Sequence, residues 1–191
     1  MSTHCAIFYQ NEEGKYQGVH VWFDGYIEYM GNLLLQHYND EEKVKQIIEL
    51  GHIYSLQESL NQCPFVTYYG TYIYNDIPYY QRLSRERQLK FGNYAHNALK
   101  GYTLAYSRDL PLDDPYGRGK PYDEEMDGWC FDSREEVIQF YQETGCCESA
   151  MLYIFDSQTK AKKHWSFFQK NRKGELSRYP LTQKNIEKFS D

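Results

Sequence analysis

No apolar run in this chain approaches the roughly 18 residues that a membrane-crossing helix requires. Its start, MSTHCAIFYQ, lacks the basic stretch and apolar core of a secretion signal. The five cysteines, Cys5, Cys63, Cys130, Cys146 and Cys147, are odd in number and contain no C-x-x-C pair, which argues against a zinc ribbon, a redox motif or a disulfide framework. Cys146-Cys147 read as free thiols in a reducing compartment. The histidines His4, His20, His37, His52, His96 and His164 form no H-x-H or H-x-x-x-H ligand pair. No serine sits in G-x-S-x-G. GRGK at 117–120 is a fragment of a phosphate loop without the remaining spacing or a clean strand before it. The acids around 109–132 have no EF-hand spacing and read as a solvated loop. These absences predict a chain with no metal and no cofactor, and they argue against an enzyme.

What is present is aromatic. Of 191 residues, 20 are tyrosines and 17% are aromatic, so a total hydrophobic share of 41% leaves aliphatics thin. Tyrosine carries a wettable end, which suits half-exposed grooves and interfaces. The length suggests one domain with a core of useful size. Charge is uneven: the net charge is −6, but residues 160–191 stand at +6 and residues 1–159 at −12. An acidic body disfavours duplex nucleic acid, whose binding is driven by phosphate neutralisation. The basic tail reads as a solvated face able to hold a phosphate locally.

Patterning predicts a hairpin of strands 4–10 and 16–23 around Gly14, then a helix with Tyr26, Met30, Leu33, Leu34 and His37 on one face and Asp24 as N-cap. A second helix follows, with Asn39 and Glu42 at its start, Val44, Ile47 and Ile48 as its stripe and Gly51 at its end. Ser55-x-x-Glu58 predicts a short third helix to about Asn61. Residues 62–101 and 109–132 read as insertions or loops, separated by a strand over 102–109. Ser133-x-x-Glu136 opens a helix with Val137, Phe140 and Tyr141 on its apolar face and Gly145 as its stop. Strands at 148–155 and 161–169 form a hairpin, and 181–189 a last helix with Thr182 or Ser177 as cap. The expected fold is α+β: one domain over 1–191, a mostly antiparallel sheet with helices packed on one face, and a tyrosine-rich central insertion.

Two places stand out as a candidate ligand site. On a strand, His20, Trp22 and Asp24 share one face, with Tyr26 just beyond. Arg108 and Asp109 end the predicted strand at 102–109, where a planar guanidinium can clamp an anion or simply pair with Asp24 or Asp109. A separate candidate interface consists of Tyr68, Tyr69, Tyr72, Tyr74, Tyr79 and Tyr80.

The corner Trp22-Phe23-Asp24-Gly25-Tyr26-Ile27-Glu28, after Met1-Ser2-Thr3, resembles that of a family of small phage and prophage proteins of unknown function. Gly31, Leu34, His37-Tyr38, Val44, Ile48, Gly51 and Ser55-Leu56 continue the pattern; AYSRD and MLYIFDSQTKAKKHW are similar to later strands of that family. Ile27 stands where proline is usual and Ser107 where histidine is usual, and residues 62–101 have no counterpart. The resemblance implies a viral accessory protein acting in a bacterial host cytosol, and it carries no activity.

The reading that follows is a non-catalytic accessory protein that antagonises bacterial defence. It would do so by binding a host component, in the sharpest form a nucleotide-like signal held by aromatic faces and Arg108. One alternative is an inhibitor that binds a host protein through the tyrosines between Tyr68 and Tyr80. Another is a small-substrate hydrolase using Asp24, His20 and Asp109.

Overall fold

The computed structural model describes residues 3–61, 101–109, 128–143, 151–159, 164–170 and 175–190. The candidate-interface residues Tyr68, Tyr69, Tyr72, Tyr74, Tyr79 and Tyr80, the GRGK sequence at 117–120, Gly145 and Cys146-Cys147 lie outside the described residues.

Strands β1 (Cys5–Gln10) and β2 (Tyr16–Val21) form the expected antiparallel hairpin, from Cys5 opposite Val21 to Gln10 opposite Tyr16. Gly14 takes φ 83° in its turn, a value only glycine adopts freely. The chain then makes a wide helical turn at Ile27–Gly31 and runs on as α1 (Asn32–His37) and α2 (Glu41–Glu49). Strand β3 (Ile53–Ser55) follows, then β4 (Leu104–Ala105), α3 (Tyr106–Asp109), β5 (Trp129–Phe131) and α4 (Arg134–Glu143). The last elements are β6 (Met151–Asp156), β7 (Trp165–Lys170), β8 (Leu176–Pro180) and α5 (Gln183–Phe189).

The strands make one eight-stranded sheet in the order β4-β3-β2-β1-β6-β7-β8, with β5 also paired to β2. The fold is α+β, but the sheet is mixed rather than mostly antiparallel. Its central pair, β1 and β6, is parallel over six residues, and β2 meets β3 in parallel. Nor do the helices share one face. Cys5, Ile7, Tyr9, Tyr153, Phe155 and Phe167 pack against the helical turn, α1, α2 and α5 through Met30, Leu34, Val44, Ile47 and Ile186. On the opposite face Ala6, Phe8, Leu152, Ile154 and Phe168 pack against Val137 and Tyr141 of α4. A strand covered on both faces reads as a continuous apolar run. CAIFY and LYIF, buried at every residue, are such runs, so the departure from alternation was the sequence signal for the central strands.

Polar groups within the core are satisfied at named places. The Trp165 indole N–H donates to the Tyr38 carbonyl at 2.8 Å, and the Tyr153 hydroxyl to the Gly25 carbonyl at 3.1 Å. Gly18 faces Phe8 across the hairpin, where a Cβ would run into the Phe8 ring.

Several local expectations need correction. Asp24 is not the N-cap of this helix: the helical turn begins at Ile27, its N-cap is Tyr26, and no side-chain cap bond forms there. Asp24 instead sits at φ 59°, and the next residue, Gly25, lies so close to the His4 backbone that no Cβ would fit. The corner is therefore a backbone device: a left-handed residue followed by a closely packed glycine. The cap of α2 is Asp40, not Asn39, accepting from the amides of Glu42 and Lys43 at 3.1 and 3.4 Å. No helix forms at 55–61; Ser59 makes an isolated bridge to Tyr102 instead. The strand expected over 102–109 shrinks to Leu104–Ala105 and gives way to the turn of α3. The Ser133 cap holds, its Oγ accepting from Glu136 N–H at 3.2 Å, and Thr182 caps α5 in the same way. Strands β3, β5 and β8 lie where the sequence pattern predicts no strand.

Candidate histidine and tryptophan site

Along one edge, β2 changes partner. Residues Tyr16–Gly18 pair with β5, and Val21 pairs with β3. Between these two pairings the backbone N–H of His20 meets no strand. It donates instead to Nδ1 of His52, the residue just before β3, at 3.0 Å. A buried amide needs an acceptor, and here a side chain replaces the missing backbone. The acceptor role leaves His52 protonated only at Nε2.

The residues next to this gap converge on the sheet face opposite α1 and α2. His4, one residue before β1, stacks on His20 with ring centroids 5.3 Å apart. The Trp22 indole stands edge-on to both, at 4.6 Å from His4 and 5.5 Å from His20. Trp129 of β5 closes the other side, 4.8 Å from His52 and 6.2 Å from His20. It joins the cluster to the core below through Phe8 and Phe140. His20 is only 9% exposed and His52 is buried, while His4, Trp22 and Trp129 are half-buried.

The electrostatics follow from that packing. Burial, then the neighbouring charges of His4 and His52, pushes the His20 pKa down to about 3, so its ring is neutral at physiological pH. Burial lowers His4 as well. Two ring nitrogens, His4 Nδ1 and His20 Nε2, are buried and have no hydrogen-bond partner among the described residues. Polar atoms left so in a native structure require an explanation. Among the described residues no group of three or more histidine, cysteine, aspartate or glutamate side chains is arranged to hold a metal ion.

His20 and Trp22 therefore meet, as their shared strand face implies. His4, His52 and Trp129 join them, and none of these three was among the expected residues. For His4 a signal existed, since it lies in register with Ala6 and Phe8 on the same face; for His52 and Trp129, which arrive from distant parts of the chain, there was none. Tyr26 is 42% exposed and its ring faces Tyr29, 6.0 Å away. The Asp24 charge acts on Tyr29, whose hydroxyl is pushed up first by burial and then by that carboxylate. Arg108 does not leave a strand end. It lies in α3, and its guanidinium donates to the carbonyls of Leu60 and, at 2.7 Å, Thr103. Asp109 is the last residue of α3.

A groove of about 780 Å³ lies elsewhere, between the β1–β2 turn and α2, lined by residues that include Tyr9, Glu12, Glu13, Lys45 and Glu49. Lys45, its one cation among the described residues, is engaged by Glu41 and Glu42 at 3.3 and 3.2 Å. That acidic, open surface offers little to an anionic ligand, and the histidine cluster is the better candidate. Comparison with models of protein families, with curated proteins and with solved structures finds no match to this chain.

Proposed function

We propose that this chain is a non-catalytic binding protein whose histidine and tryptophan cluster receives the planar base of a nucleotide-like ligand. The observation that carries the reading is the pair of buried ring nitrogens, His4 Nδ1 and His20 Nε2, without a partner among the described residues and set among indole rings. A purine or pyrimidine offers a flat face for the indoles and an edge of donors and acceptors for neutral imidazoles. Neutral rings read such an edge without attracting bulk anions.

The same chemistry favours binding over hydrolysis. A general base works best with a pKa near the working pH. His20, at about 3, is far too weak a base, and the charges acting on it come from two imidazoles. The resemblance of the Trp22–Glu28 corner to phage proteins supplies the setting: the ligand is a host signal, and its capture blunts a bacterial defence.

Titration with a panel of nucleosides and mono-, di- and cyclic nucleotides tests this, read by tryptophan fluorescence and calorimetry. The expected result is stoichiometric quenching by at least one member, with the ligand recovered unchanged after denaturation. No binding across the panel at millimolar concentration, or product formed in excess of protein, overturns it.

A further inference from the structure

The same sheet face carries a second cluster at its opposite end. Asp156, the last residue of β6, lies opposite Gln10 of β1, and Gln10 opposite Tyr16 of β2. From His4 to Gln10 is six residues of extended chain, roughly 20 Å at about 3.3 Å per residue. A mononucleotide seated among the histidines does not span that distance.

Two guanidinium groups converge on one oxygen here. Arg134, the first residue of α4, places Nη2 3.3 Å from Asp156 Oδ2, and Arg178 of β8 places Nη2 4.0 Å from the same atom. The other carboxylate oxygen, Oδ1, accepts from the Gln158 N–H at 3.1 Å. Asp156 thus faces two guanidiniums with one carboxylate among the described residues. The adjacent acid, Asp132, is matched by Lys15 at 3.7 Å. The Arg134 guanidinium lies over the Tyr16 ring, 6.0 Å from its centroid.

Among the described residues, donors of the two guanidiniums remain without acceptors. A guanidinium carries five N–H groups. Arg134 hydrogen-bonds Asp156 and also engages the Tyr16 hydroxyl, and its Nε is buried with no partner among the described residues. At 4.0 Å, Arg178 reaches Asp156 as an ion pair but not as a hydrogen bond. Arg178 is also held near a like charge, since burial and then Arg134 pull its pKa down. The side chains are partly exposed, 29% for Arg134 and 42% for Arg178.

We propose that Arg134 and Arg178 form an oxyanion site for a phosphate monoester, with Asp156 as the positioning residue that aims the two forks. The three terminal oxygens of a monoester supply acceptors for both guanidiniums at once, and planar forks bind such groups in bidentate fashion. The anion would relieve the repulsion between the two arginines. This inference does not rest on the base-binding reading of the histidine cluster.

The test uses the full chain and four probes at matched ionic strength: phenyl phosphate, inorganic phosphate, adenosine and sodium chloride. Binding is read from the arginine Nε–H resonances and from the thermal midpoint. Phenyl phosphate is expected to shift the Arg134 and Arg178 resonances and raise the midpoint, and chloride is not. Arg178→Gln should weaken phenyl phosphate at least ~10-fold, as loss of hydrogen bonds to a charged group implies, and Arg178→Lys should weaken it less. His20→Phe should leave the phosphate response intact, and Arg178→Gln should leave any adenosine binding intact, so the two sites can fail separately. The proposal is overturned if phenyl phosphate acts no differently from chloride, if only inorganic phosphate binds, or if the response survives unchanged in Arg178→Gln and Arg134→Gln.

Discussion

The backbone N–H of His20 donates to Nδ1 of His52 at 3.0 Å, across the gap where one edge of β2 passes from β5 to β3. One imidazole thereby does the work of a strand, and its tautomer is set by that duty. Protonating His52 at Nδ1 would break the bond.

Removing that acceptor has a defined cost. His52→Phe keeps a ring beside Trp129 but leaves the His20 amide buried without a partner. The expected loss is about 1–3 kcal/mol, read from urea unfolding, together with faster hydrogen exchange at the His20 amide.

The His20 ring predicts an acid sensitivity with a fixed sign. Its folded pKa of about 3 lies below the unfolded value of 6.5. Between those values the unfolded chain binds a proton that the folded chain does not. Stability therefore falls as pH drops through that window, by up to ~1.4 kcal/mol per pH unit for one proton, and His4 acts in the same direction. His20→Phe removes a titrating group whose ring Nε2 has no partner among the described residues. The variant should match the parent within ~1.5 kcal/mol at pH 7.5 and lose less stability between pH 7.5 and 5. Urea unfolding at the two pH values decides it; an equal loss in both proteins would reject the assignment.

Arg108 is expected to act on stability more than on ligand. Its guanidinium ties the carbonyls of Leu60 and Thr103 together, joining the chain after β3 to the segment before β4. Arg108→Met should cost about 2–3 kcal/mol, the range for a charged donor lost from a part-buried acceptor. Arg108→Lys should recover little, because an ammonium lacks the planar fork that spans two acceptors. Nucleoside affinity at the histidine cluster should stay within about twofold of the parent. Denaturation and calorimetry on the same samples separate the two effects.

Asp24 tests the nature of the corner. At φ 59° it occupies the left-handed region, which asparagine tolerates and β-branched residues resist. Asp24→Asn should change stability by well under ~1 kcal/mol, whereas Asp24→Val should cost ~1–2 kcal/mol. A thermal-unfolding comparison of the two variants is sufficient. Equal losses would indicate that the carboxylate, not the backbone angle, matters there.

Residue pattern alone specifies the elements whose partners are close along the chain. The β1–β2 hairpin, the turn at Gly14, the apolar stripe of α2 and the Ser133 and Thr182 caps all depend on neighbours within a few residues, so pattern and propensity suffice. His20 and Trp22 were legible as one surface for the same reason: strand geometry alternates side chains whatever the strand pairs with. Tertiary structure decided the rest. Whether β1 lies beside β6 in parallel, and so carries helices on both faces, depends on contacts between residues more than 140 positions apart. Asp24 looked like a cap because its residue type suits one, but Gly25 packing against the His4 backbone sets the corner instead. For Arg108 the sequence leaves an anion clamp and an ion pair with Asp24 or Asp109 both open, and the fold brings it the carbonyls of Leu60 and Thr103 instead. The candidate site itself arises where β2 exchanges one neighbour for another, and no local pattern in a chain records where a strand will be left without a partner.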